Sequence, residues 1–235
     1  MPSSEHWIVF GDLHGDVHNV EEIIDLDEAS GVILTGDLTF MGGISAGSKV
    51  LEAIASHNHN IYAQIGNMDK PELTGHLKKH YFNLHGEAQF IHPEITAIGL
   101  GGAPRTPFNT PSEFSEEEIG ILLKHAFFQA GEYKNLVLIS HSPPADTACD
   151  CLENGTHVGS RTIRKFIEQV QPALCLCGHI HESKAVDRIG GTVVINPGAL
   201  TDGGYVMLAL SRGKLCAGLC DLHEGSTRHC LPPMP

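Results

Sequence analysis

Basic residues are scarce in this chain. Fifteen Lys and Arg stand against 28 Asp and Glu over 235 residues, a formal charge of −13 at pH 7. Such a surface repels phosphate backbones and anionic lipid, which disfavours nucleic acid as a partner. Long apolar runs are missing too. Nothing approaches the ~20 residues of a membrane span, so a membrane is not an expected partner either. The opening Met1-Pro2-Ser3-Ser4-Glu5-His6 has no basic region, and the apolar run Trp7–Phe10 is too short for a secretory signal. The expectation is a cytoplasmic protein. Seven cysteines, an odd and scattered set, argue against a disulfide framework. Cys149/Cys151 and Cys175/Cys177 form Cys-x-Cys pairs, but Cys175 and Cys177 alternate in an apolar run and read as reduced structural thiols. No charge run, low-complexity linker or repeat marks a boundary. Residues 1–235 therefore read as one domain, with His223–Pro235 as a mobile tail. Oligomeric state is left open.

What is present is an ordinary globular balance, 41% hydrophobic and 18% charged. A chain of this size can bury roughly 70% of its unfolded surface without staples. Short apolar runs alternate with helical patterns. Strands are expected at His6–Phe10, Gly31–Thr35, Ile61–Ile65, Glu94–Leu100, Leu136–Ser140, Ala173–Cys177, Lys184–Ile189, Thr192–Ile195, Tyr205–Leu210 and Lys214–Asp221. Helical segments are expected near Val17–Ala29, Ile44–His57 and Pro71–Lys79. Ser115 and Glu118 form a capping box ahead of Ile119, Leu122, Leu123, Ala126 and Phe127, and Ser160 caps a second amphipathic stretch through Val170. Alternating β and α units followed by hairpins predict an α/β protein with two stacked mixed sheets flanked by helices, a four-layer αββα sandwich.

The chemistry lies where the strands end. Ile8-Val9-Phe10 runs into Gly11-Asp12-Leu13-His14, and Val32-Ile33-Leu34 into Thr35-Gly36-Asp37. Ile61–Ile65 runs into Gly66-Asn67-Met68-Asp69, Leu136–Ile139 into Ser140-His141, and Leu174–Cys177 into Gly178-His179-Ile180-His181. Parallel strands would bring these ends to one rim, where sheets of this kind gather ligand sites. Asp12, His14, Asp37, Asn67, His141, His179 and His181 supply carboxylate, imidazole and amide oxygen, a set suited to Mn, Fe or Zn. Seven donors exceed one tetrahedral site and suit two ions ~3.5–4 Å apart.

This ordered set resembles the calcineurin-like metallophosphoesterase superfamily. Its blocks are Asp-x-His, Gly-Asp, Gly-Asn-His-Asp/Glu, a lone His and Gly-His-x-His. Gly99–Phe108, His141–Ser160 and Gly178–Ala199 look most like the small Icc-related predicted phosphoesterases. The resemblance implies two divalent cations, Mn favoured. Asp12, His14 and His181 would hold one, Asn67, His141 and His179 the other, and Asp37 would bridge them. It also implies a catalytic centre around Asp37, His141 and His179 that hydrolyses a phosphate ester with a hydroxide formed from bridging water. Relatives that have lost ligands serve as scaffolds, and a non-catalytic metal-binding scaffold or interaction module is the alternative; here all seven positions are filled, which counts against it. A nuclease would need a basic channel, and none is visible.

One position departs from the pattern. Met68 stands where the family carries a His that contacts phosphate and helps protonate the leaving group. A thioether has no proton to give, so phosphodiesters or esters with good leaving groups are favoured. Asp69 and His157 are candidate stand-ins as proton donor. His157, Arg105 and Arg161 are the candidate substrate contacts.

Overall fold

The computed structural model describes residues 5–211 and 213–223 and the backbone of 229–230. The expected tail from His223 onward therefore falls almost wholly outside the described residues.

In chain order the strands are β1 (Glu5–Phe10), β2 (Gly31–Leu34), β3 (Ile61–Ala63), β4 (Phe82–Asn83), β5 (Ala88–His92), β6 (Ile95–Leu100), β7 (Ala103–Pro104) and β8 (Glu113–Phe114). They continue with β9 (Asn135–Ser140), β10 (Leu174–Leu176), β11 (Ala185–Ile189), β12 (Thr192–Asn196), β13 (Gly204–Ser211), β14 (Lys214–Asp221) and β15 (His229–Cys230). The α-helices are α1 (Ile44–Ala55), α2 (Glu72–His80), α3 (Glu116–Ala130) and α4 (Arg161–Val170).

Two mixed sheets form the body. The first runs β15-β14-β13-β1-β2-β3-β4 and the second β11-β12-β10-β9-β6-β5, with β7 and β8 paired apart. Strands β1 to β4 lie parallel, as do β6, β9, β10 and β12, so each sheet has a parallel centre. The side-chain period of two then sorts the residues. Trp7, Val9, Ile33, Val137, Ile139, Leu174 and Leu176 meet between the sheets. Their neighbours Ile8, Phe10, Val32 and Leu34 face outward and pack with Val50, Leu51, Ile54, Leu73 and Leu77 of α1 and α2. On the far side Leu136, Leu138, Cys175 and Cys177 pack with Ile119, Leu123, Ile163 and Ile167 of α3 and α4. The four-layer αββα order expected from the sequence is what forms. Cys175 and Cys177 are free, fully buried thiols in the outer layer of the second sheet.

The Ser115–Glu118 capping box is made in both directions, and Ser160 Oγ accepts from the Ile163 N–H. The Val17–Ala29 expectation is corrected. This segment is a 3-10 helix at His18–Glu22 followed by turns. Its apolar residues Val17, Val20, Ile23, Leu26 and Ala29 recur every third position and all pack on one core cluster. A strict period of three fits 3-10 turns better than the 3.6 of an α-helix. Strands β4, β5, β7, β8 and β15 were not expected, β15 falling where the sequence suggested a mobile tail; the 2-residue ones are too short to show a pattern.

Candidate metal centre

Five strand ends converge, β1, β2 and β3 from one sheet and β9 and β10 from the other. The turns that follow are laced together by backbone. Asp12 N–H donates to Gly36 O, the Leu13 and His14 N–H groups both donate to Asp37 O, and Gly178 N–H donates to His141 O. Four of the seven candidate ligands hold left-handed backbone: Asp12 at φ 54°, His14 at 49°, Asp37 at 50° and His179 at 69°. Non-glycine residues adopt that region at a cost, and such strain clusters at functional sites. The flanking glycines are required for a second reason. A Cβ on Gly66 would lie 2.0 Å from Asp37 Oδ1, and one on Gly178 would lie 2.3 Å from Asp12 Oδ2.

The donor atoms fall into two groups, Asp12 with His14 and His181, and Asp37 with His141 and His179, the atoms of each lying within 4.8 Å of one another. His14 Nε2 and His181 Nε2 face each other at 3.3 Å, and His181 Nε2 is 3.4 Å from Asp12 Oδ1. Asp37 reaches toward both groups. Its Oδ2 is 3.4 Å from His141 Nε2 and 3.9 Å from His14 Nε2, while Oδ1 accepts the Met68 N–H at 2.7 Å. Asn67 joins the second group through Oδ1, 2.9 Å from His141 Nε2. All seven candidates are thus brought to one place. Imidazole nitrogens, carboxylates and one amide oxygen converge there, a donor set that fits Mn, Fe or Zn.

The electrostatics favour a cation. Burial alone would raise the Asp12 carboxyl, but the hydrogen bond to His181 and the nearby His141 and His181 charges outweigh it and hold Asp12 below its ordinary range. Burial works against a charged His141, yet Asp37 beside it lifts the ring to about 9. His179, whose ring centroid is 5.0 Å from that of His141, is pushed down to about 4 by desolvation and then by the His141 charge. A charge on one ring opposes a charge on its neighbour, whereas divalent ions can accept one nitrogen lone pair from each ring at once.

Two supporting carboxylates hold the loops. Asp69 is fully buried, and its oxygens accept the N–H groups of Leu38, Thr39 and Gly66 and the Thr39 hydroxyl. Burial and then the Asp37 charge push its pKa up to about 6, against the pull of those donors. The expectation of Asp69 as a proton donor to substrate is corrected: both oxygens are taken by buried backbone. Glu113 does the same on the opposite loop, accepting from the N–H and hydroxyl of both Thr106 and Thr110. Thr110 Oγ1 in turn accepts from Asn67 Nδ2 at 3.0 Å, which leaves Asn67 Oδ1 aimed at the centre. The Thr110-x-x-Glu113 spacing carries a local signal for half of this relay; the Asn67–Thr110 contact spans 43 residues and has none. Thr110→Val should free the Asn67 amide without changing side-chain shape, and weaken metal binding about tenfold. Metal titration into stripped protein would check this, and an unchanged affinity would remove Thr110 from the support of the site.

The candidate substrate contacts lie further out. His157 is part-exposed, with Nδ1 2.7 Å from Asp150 Oδ1, a hydrogen bond that raises the ring's pKa. Its loop is fastened to the His181 segment: Ser183 Oγ donates to Cys151 O and Glu153 N–H to Glu182 Oε1. Arg105 is exposed on the loop that carries Thr110. Arg161 is exposed at the start of α4, where its N–H donates to Glu116.

A family model described as metallophosphoesterase, calcineurin superfamily, matches residues 66–218, more than half of the chain. The chain belongs to that family. The Asp12–His14 and Asp37 blocks lie before the matched stretch and reach the site through the fold. An uncharacterized protein of Methanocaldococcus jannaschii is 38% identical over 193 residues, covering 79% of this chain and 84% of its own. A crystal structure of a Thermus thermophilus protein superposes with TM-score 0.69 at 18% identity, covering 94% of this chain and 100% of that one. A Danio rerio protein described as a dimetal phosphatase does so with TM-score 0.60 at 10% identity, covering 93% and 96%. At such identities these structures speak for the fold alone. Family membership and the two donor groups together support a metal-dependent phosphoesterase acting on phosphate esters. No helix among the described residues is long and apolar enough to cross a membrane.

Proposed function

We propose that this metallophosphoesterase is a cytoplasmic dinuclear hydrolase of phosphodiesters or activated phosphomonoesters, with manganese as the favoured metal. The observation that carries this reading is Asp37, whose carboxylate belongs to the donor group of His141 and His179 and also reaches to 3.9 Å from His14 Nε2 of the other group. Asp12, His14 and His181 would hold one ion, Asn67, His141 and His179 the other, and Asp37 both. When bound, two such cations supply Lewis-acid activation of water and offset charge on the phosphoryl oxygens.

The protein's own residues do the rest. The left-handed turns at Asp12, His14, Asp37 and His179 pre-set the donors before any ion arrives. The Met68 N–H fixes one Asp37 oxygen, leaving the other free for the centre. Asp69 and Glu113 hold the loops on either side. His157 is the group we assign to protonate the leaving oxygen in place of the absent histidine at Met68, since the hydrogen bond to Asp150 favours its protonated ring. Arg105, from its loop, and Arg161, from the start of α4, are assigned to the substrate phosphate. Two cations also reverse the local field, which reconciles a chain of charge −13 with an anionic substrate.

The first test is Mn-dependent hydrolysis of bis(p-nitrophenyl) phosphate, with metal-stripped protein as control. Turnover that requires metal is expected. Two metals bound per chain without turnover of this probe or of p-nitrophenyl phosphate would favour the metal-binding scaffold instead.

A further inference from the structure

The two donor groups differ in their access to solvent. Asp12, Asp37, Asn67 and His141 are buried and His179 is half-buried, whereas the side chains of His14 and His181 retain 23% and 38% of their exposure. The more open side of the centre is thus the one that carries His14 and His181. On that open side stands an apolar segment the chemistry above does not use. Phe40 is 68% exposed, Met41 48% and Ile44 43%. The Phe40 ring lies edge-on to His14, with centroids 6.2 Å apart and planes at 65°.

Single exposed apolar residues are ordinary on a protein surface. This segment differs because it is both contiguous with the centre and held in place. Thr39 is bonded to Asp69 by N–H and by hydroxyl, Gly42 N–H donates to Thr39 Oγ1, and Lys70 N–H donates to Gly42 O. Phe40 and Met41 lie between those anchors, with Met41 in the left-handed region at φ 55°. The carboxylate that fixes the Asp37 turn thus also fixes the segment bearing Phe40. A rigid, exposed aromatic face beside a cation site can bind a planar group by stacking while the attached phosphate meets the ions.

Resting on the phosphoesterase reading, we propose that Phe40 confers a preference for substrates whose phosphate carries an aromatic group. Met41 supplies a second, adaptable apolar contact for the same group.

Binding separates this from hydrolysis. Phenylphosphonate and methylphosphonate would be titrated into Mn-loaded full-length protein by calorimetry, against metal-stripped protein as control. The wild type should bind the phenyl compound about tenfold more tightly, consistent with the worth of one aromatic stack. Phe40→Ala should bring the two within about twofold by weakening phenylphosphonate alone, and Phe40→Trp should restore the difference. Phe128→Ala, at a still more exposed ring on α3, should leave it intact. Equal affinities in the wild type, failure of both compounds to bind, or a preference that survives Phe40→Ala would each overturn the proposal. A Phe40-dependent preference in a protein that hydrolyses no ester would leave this site standing and remove the hydrolytic reading alone.

Discussion

Asp37→Asn should lower kcat/KM toward bis(p-nitrophenyl) phosphate by at least about 10³-fold and reduce the bound metal from two ions per chain to one or fewer. The substitution is clean. Asparagine has nearly the shape of aspartate, and its Oδ1 can still accept the Met68 N–H that Asp37 accepts at 2.7 Å. What disappears is the negative charge 3.4 Å from His141 and 3.9 Å from His14. Asp37 is the largest of the charges that favour protonated His141, ahead of Asp12 and Asp69, so its neutralisation also lowers the tendency of that buried ring to hold a proton. Two divalent ions held close together repel strongly, and a shared carboxylate is the group that offsets this. An amide cannot. Metal analysis by mass spectrometry and steady-state kinetics on the same preparation would decide the matter. Activity within tenfold of wild type, with two metals retained, would refute the shared-ligand assignment.

The convergence of the seven candidate donors was legible in the sequence for a simple reason: each follows the end of an apolar run, and the type and order of the residues survive without coordinates. The layered fold was legible for the same reason, since β1, β2, β9 and β10 are short continuous apolar strands and α3 announces its start with a capping box. Three things were hidden. The Val17–Ala29 repeat of apolar residues marks burial equally well in a 3-10 turn and an α-helix, and only its period of three separates them. Asp69 looked like a spare acid beside the site, because nothing local shows that three N–H groups from two different turns converge on it. Phe40 carried no signal at all. A phenylalanine after Gly-Asp-Leu-Thr reads as core, and only its exposure beside His14 turns it into a surface for ligand.

Asp69→Ala should cost roughly 4 kcal/mol of stability, which for a chain of this length is a fall in Tm of about 10 °C. The carboxylate is fully buried and is the acceptor for the N–H groups of Leu38, Thr39 and Gly66 and for the Thr39 hydroxyl, at 2.8–3.0 Å. Removing it strands the three N–H groups, while the Thr39 hydroxyl keeps Gly42 O as an acceptor at 3.2 Å, and each buried unsatisfied group costs about 1–3 kcal/mol before relaxation. Asp69→Asn should be milder. Its oxygen can keep the Thr39 donors, but its NH₂ then faces the Leu38 and Gly66 N–H groups. Thermal melts belong in excess chelator, so that lost metal binding does not masquerade as lost folding stability. The same pair of variants separates a scaffold role from a proton-donor role. A donor would slow the hydrolysis of esters with poor leaving groups while leaving Tm unchanged; a scaffold lowers Tm and depresses all substrates alike, because the Asp37 turn and the Phe40 segment loosen together. A Tm within 3 °C of wild type for Asp69→Ala, by the ~2–4 °C expected per kcal/mol, would show that this carboxylate does not hold the site.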